Sequence, residues 1–123
     1  MRINDIQISA NFRLYEFECK GGTNLVKVDP ELVDRLQRLR TKIGRPIYIT
    51  SGFRTVEHNR NIGGSPNSQH LLGKAADIQV NGLSITALLA EVRSIGFRGI
   101  GLYDSHIHVD VRQTPAFWDY RTK

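Results

Sequence analysis

At 123 residues with 40% hydrophobic side chains, the chain has the size of one domain with one core and is too apolar to be disordered. Its net charge of +5 favours acidic partners (nucleic acid, anionic membrane or anionic cell-wall polymer), but no zinc-finger spacing or basic-aromatic motif supports binding to nucleic acid. No apolar run approaches the roughly 20 residues that cross a bilayer, and the single cysteine, Cys19, excludes an internal disulfide. The first seven residues contain no unbroken apolar segment, so cytoplasmic synthesis without a signal peptide is the expectation.

Taken in order, residues 11–17 carry aromatics expected to pack an N-terminal segment onto the core, and Cys19 is read as a small buried hydrophobe. Gly21 and Gly22 mark a turn, and residues 25–28 read as a short strand or an extended lead-in. Asp29, Pro30 and Glu31 open a helix: a capping carboxylate, a proline in the first turn, and an acid near the positive dipole end. Leu32, Val33, Leu36, Leu39 and Ile43 give it one apolar face, and Gly44 closes it. The bases Arg35, Arg38, Arg40, Lys42 and Arg45 lie on or just after this helix and are read as a solvated face.

Residues 46–50 form a predicted strand, 51–55 turn out of it, 56–62 form a short helix, and the Gly-, Ser- and Asn-rich run 63–68 is a loop. A second strand follows over 75–80, where alternation puts Ala76, Ile78 and Val80 on one face and Asp77 and Gln79 on the other. Asn81 and Gly82 make a turn, Ser84 caps a helix running to Ile95, and Gly96 ends it. Residues 97–103 and 105–112 are the last two predicted strands. Trp118, with Phe117 and Tyr120, is read as packing the C-terminal segment, with an aromatic wall for a polymer groove as the alternative. Helices and strands mix without a regular βαβ rhythm, which predicts one α+β domain over 1–123 with a mainly antiparallel sheet.

Two stretches carry chemistry. Residues 68–77 hold His70 and Asp77 around a small-residue run, where Gly73, Ala75 and Ala76 would let the backbone pass close to an ion. In residues 106–112, the even positions are His106, His108, Asp110 and Arg112, and the odd ones are Ile107, Val109 and Val111. Period-two alternation sorts this segment into an ionisable face and a β-branched face. Two imidazoles and a carboxylate that converge can hold zinc and leave its fourth position open to water.

These residues resemble the zinc D-alanyl-D-alanine carboxypeptidases and related peptidoglycan peptidases. The hallmark Ser-x-His-x-x-Gly-x-Ala-x-Asp is matched by Ser68, His70, Gly73, Ala75 and Asp77. The run 51–54 resembles the family's Ser-Gly-(aromatic)-Arg turn, and 108–110 its terminal histidine motif. The resemblance implies a hedgehog-like fold with helices on one side of the sheet. It implies Zn2+ held by His70, Asp77 and His108, with Arg54 orienting the substrate carbonyl and stabilising the oxyanion, and Ser68 holding the substrate. Many members place an acid three residues before the last ligand as general base. Ser105 stands there in this chain, so His106 is the expected base and Asp104 the runner-up. His58 matches no family role and is read as a loop histidine.

The function so implied is hydrolysis of a peptide bond in peptidoglycan stem peptides, by a monomer acting on the bacterial wall after release or delivery by a partner, as a phage or prophage lysin does. A zinc-stabilised binding or phage structural module without catalysis is the alternative.

Overall fold

The computed structural model describes residues 2–122. A two-stranded hairpin, β1 (Gln7–Ser9) and β2 (Phe12–Arg13), leads the chain, followed by a 3-10 turn over Leu14–Phe17. Helix α1 (Pro30–Ile43) begins where sequence places it: the Asp29 side chain accepts from Glu31 N at 2.8 Å, and Pro30 needs no hydrogen-bond partner at that position. It ends at Gly44, whose φ of 65° satisfies the left-handed closure that a side chain would resist. Helix α3 (Ile85–Ile95) has the same grammar, with Ser84 capping Ala87 N and Gly96 closing it at φ 97°. Between them lie β3 (Tyr48–Ser51), the short α2 (Val56–Asn61), a 3-10 turn over Gln69–Leu72, and β4 (Ala75–Gln79). The strands β5 (Gly99–Leu102), β6 (Ile107–Asp110) and β7 (Ala116–Asp119) complete the chain.

The five-stranded sheet runs β3-β4-β6-β5-β7. All its pairings are antiparallel except β5 with β7, which is parallel. The fold is therefore α+β with a mainly antiparallel sheet. Leu32, Leu36, Leu39, Leu88 and Val92 of α1 and α3 meet Ala76, Ile78, Ile107 and Val109 in one buried cluster. Helical and strand periodicities thus converge on one face of the sheet, and the opposite face is left to polar side chains. The N-terminal segment joins the same core through Phe12 and Phe17, whose rings lie 6.0 Å apart. Cys19 is buried, as a small hydrophobe would be.

Several expectations need correcting. Residues 25–28 form no strand and serve as the extended lead-in. His58 stands in α2 and not in a loop. The last two predicted strands are shorter than alternation suggests, so that His106 and Arg112 flank β6. Strand β7 was not foreseen: its segment lacks a long apolar alternation, and it exists because β5 offers it an open edge. Gly73 makes room for protein backbone: it holds φ 70° to end the 3-10 turn, and a Cβ there would strike the Lys27 carbonyl.

Candidate metal centre and cleft

The ladder builds the site. Register between β4 and β6 sets Asp77 directly opposite His108, and both project from the sheet face away from the helices. His70 arrives from the 3-10 turn just before β4. Ser68 fixes that turn by accepting from His70 N at 3.1 Å. One donor atom from each of His70, Asp77 and His108 lies within 4.8 Å of the other two.

Each imidazole is oriented from behind. His70 Nδ1 is 2.7 Å from the Gly52 carbonyl, which can only accept, so Nδ1 carries the hydrogen and Nε2 is bare. Gly52 itself is required, because a Cβ there would come within 2.7 Å of the Phe17 backbone. His108 Nε2 is 2.7 Å from Asp110 Oδ2, which likewise fixes its hydrogen on Nε2 and leaves Nδ1 bare. These bare nitrogens lie 3.2 and 3.3 Å from Asp77 Oδ1. Three acceptor atoms therefore converge in a buried place with no hydrogen among them. That arrangement is stable only around a proton or a cation, and two imidazoles with one carboxylate are a donor set suited to zinc. The residues present fit the ion that the sequence motif implies.

The electrostatics agree. Burial works to raise the Asp77 carboxyl, but the His108 and His70 imidazoles, which donate to it whenever a proton enters the site, outweigh burial and hold the group well below the usual carboxylate range. Burial opposes charge on His108, yet Asp110 and Asp77 together push its imidazole above its ordinary value. Burial also disfavours charge on Asp110, and His108 and Arg112 overcome it. The site is thus poised to hold positive charge between two carboxylates.

Above these atoms lies an open cleft of about 660 Å³. Arg54, Ser68 and His106 border it, so each sequence-predicted site residue lies at one locality. His106 Nε2 stands 3.8 Å from Asp77 Oδ2, and its ring stacks on Tyr103 at 4.5 Å and 9°. Burial, together with the charges of His108, Arg54 and His70, holds its imidazole below the ordinary value against the pull of Asp77. It is therefore neutral and able to accept a proton at neutral pH. Asp104, the alternative base, faces elsewhere: its carboxylate accepts from the Thr122 N–H and hydroxyl at 3.0 and 2.8 Å, outside the cleft.

Arg54 is more constrained than sequence suggests. Nε donates to Ser51 Oγ at 3.0 Å, Nη1 to Asn59 Oδ1 at 3.2 Å and Nη2 to Asp77 Oδ2 at 3.2 Å. Its ion pair with Asp77 fixes the carboxylate's outer oxygen, and one hydrogen on each Nη remains for another acceptor. Asn59, which sequence reasoning missed, is the buried hub of this corner: its amide also donates to Ser65 O at 2.8 Å, tying Arg54 to the cleft rim. The readable signal was a polar residue on the inner side of a short helix.

Asp110 was also missed as part of the site, whereas Trp118 takes the place that the alternative reading, an aromatic wall of a groove, gave it. Alternation put Asp110 on the ionisable face but did not show that it holds His108. Trp118 lies opposite Gly101 across the β5–β7 pairing, and Gly101 lies opposite His108 across β5–β6. Because residue 101 has no side chain, the indole crosses this gap to within 5.1 Å of the His108 ring and donates Nε1–H to the Tyr103 hydroxyl at 2.9 Å. Trp118 therefore both packs β7 and walls the cleft, which Tyr120 also borders, while Phe117 lies outside it under Arg93.

The sequence profile of the peptidase M15 family matches residues 10–110. Among curated proteins, the chain is 37% identical over 81 residues to the zinc D-Ala-D-Ala carboxypeptidase of Streptomyces albus G, a match covering 61% of this chain and 32% of that protein. It is 29% identical over 98 residues to the peptidoglycan L,D-endopeptidase MepK of Escherichia coli K12, covering 72% of this chain and 54% of the relative. A probable peptidoglycan L,D-endopeptidase MepK of Haemophilus influenzae is 30% identical over 106 residues, covering 78% and 57%. The chain thus spans from about a third to just over half the length of these relatives.

Proposed function

The chain belongs to the peptidase M15 family, and from that premise we propose that it is a zinc-dependent hydrolase of peptide bonds in peptidoglycan stem peptides. The observation that carries this reading is the convergence of His70, Asp77 and His108 on the floor of an open cleft, with each imidazole's distal hydrogen already committed. Relatives named as a zinc carboxypeptidase and as peptidoglycan endopeptidases support the substrate class. The reading places the chain's work at the bacterial cell wall.

His70, Asp77 and His108 would hold the ion. Zinc there would supply Lewis acidity, which makes hydroxide available near neutral pH and polarises a carbonyl. His106, neutral and beside the metal-facing carboxylate, takes the water's proton on Nε2 and returns it to the leaving amine. Arg54 holds Asp77 and turns its remaining Nη hydrogens toward the substrate carbonyl, where negative charge develops. Ser68 Oγ accepts from His70 N with one lone pair, and its hydroxyl hydrogen is left to hold substrate. Asn59 keeps Arg54 aimed.

The test pairs metal content with turnover. Protein purified with zinc should carry one ion per chain, lose it together with thermal stability on chelation, and release soluble peptide from purified peptidoglycan only when loaded. Stoichiometric zinc with no release by the loaded protein would leave a metal-stabilised module and overturn the catalytic reading.

A further inference from the structure

Two arginines border the cleft, and they are built differently. Arg54 commits all three guanidinium nitrogens to protein acceptors. Arg112 commits only two. Its Nε and Nη2 bond the fully buried Asp110 at 2.9 and 2.6 Å, and its backbone N–H caps the same carboxylate at 3.0 Å. Nη1, with two hydrogens, makes no hydrogen bond among the described residues. The Trp118 ring lies 5.2 Å from the guanidinium carbon and covers one face of the group, so that the fork is held in position before any ligand arrives.

The geometry points to Arg112 as a specificity-determining residue that anchors a carboxylate of the substrate beside the scissile bond. The inference rests on the peptide-hydrolase reading. It follows from three features together: a charged fork bordering the cleft, an orientation fixed by a buried carboxylate and an indole, and an unused planar edge. Guanidinium edges match carboxylates in geometry and charge, and a preset fork loses little entropy on binding. A purely structural counterion for Asp110 would need neither the cleft position nor the free edge. The peptide is expected to lie with its reacting carbonyl near His106 and Arg54 and its carboxylate at the Trp118 end.

The chain's one tryptophan, Trp118, reports on this place directly. Zinc-loaded protein is mixed in stopped flow with three forms of one stem pentapeptide: the free acid, the C-terminal amide, and the form with the D-glutamate carboxylate converted to an amide. Affinity is read from Trp118 fluorescence before turnover. Loss of a charge-assisted hydrogen bond is expected to weaken one amide by about tenfold to a hundredfold relative to the acid, and the sensitive form names the carboxylate. In Arg112→Gln and Arg112→Lys the acid should bind as weakly as that amide in the glutamine variant, and between the two in the lysine variant. Equal affinity of all three forms for the unaltered protein overturns the assignment without any variant, and so does undiminished acid-over-amide preference in Arg112→Gln. Turnover is followed separately. Equal binding with full cleavage refutes the anchor alone, discriminating binding without cleavage refutes the hydrolase reading alone, and no binding of any form refutes both.

Discussion

Asp110→Asn is the substitution that asks most of the site, because it changes almost no volume. Asp110 is 0% exposed and accepts on both oxygens: Oδ1 from Arg112 N and Nε at 3.0 and 2.9 Å, Oδ2 from His108 Nε2 and Arg112 Nη2 at 2.7 and 2.6 Å. An amide offers one acceptor. Whichever way it is turned, its NH2 faces two donors, and Arg112 loses its buried counter-charge. Breaking a buried charge pair costs about 3–5 kcal/mol, and the lower figure applies because the Arg112 side chain is 25% exposed. For a chain of this length, about 3 kcal/mol corresponds to a fall of roughly 12 °C in Tm. Since Asp110 also sets the His108 tautomer, zinc affinity should drop about 10- to 100-fold. Thermal melts of the metal-free protein give the first number, and competition with a chelator of known affinity gives the second. The Asp110 carboxyl is held below its ordinary value of 3.8, so its stabilisation is complete above that pH and is lost as pH falls further. The gap in Tm between the two proteins should therefore narrow below about pH 4. A variant that melts within 2 °C of the unaltered protein and binds zinc as tightly would refute the claim that Asp110 orients His108.

His106→Ala should lower turnover about 10²- to 10⁴-fold while zinc content stays at one per chain, whereas Asp104→Asn, which loosens only the Thr122 contact, should leave turnover unchanged; metal analysis beside peptide-release rates checks both. Arg54→Lys keeps the charge but cannot hold Ser51, Asn59 and Asp77 together, so a fall of about 10²-fold or more in kcat is expected, and full activity would remove Arg54 from the oxyanion role. In Gly101→Ala the new methyl overlaps the Trp118 indole. Overpacking of this kind costs about 1–3 kcal/mol, and the emission of Trp118 should shift to the red as the ring leaves His108 and Tyr103, with an unshifted spectrum contradicting the proposed gap.

Much of the fold could be read because the local signals agreed with one another. Asp29, Pro30 and Gly44 bracket α1, Ser84 and Gly96 bracket α3, and both pairs act through backbone geometry that tertiary packing did not override. The alternation at Asp77 and at His108 was equally legible, since a strand buried on one face must put its polar residues on the other. Register was not legible. Nothing in residues 75–80 or 105–112 says that Asp77 faces His108, nor that Gly101 lies between His108 and Trp118. Those are long-range pairings fixed by the whole sheet. For the same reason Asn59 and Asp110 could not be recognised, because their value lies in which donors reach them. The direction of the Asp104 side chain also needed coordinates: a turn residue's direction is set by its neighbours, and here Asp104 accepts from Thr122 outside the cleft.

The most direct measurement is mass analysis of muropeptides after incubation with the zinc-loaded protein, with the Asp77→Asn protein in parallel. New products are expected whose masses differ from the starting muropeptides by hydrolysis of one stem-peptide bond, absent with the variant. Muropeptides left at their original masses by a protein that holds one zinc per chain would contradict the hydrolase reading.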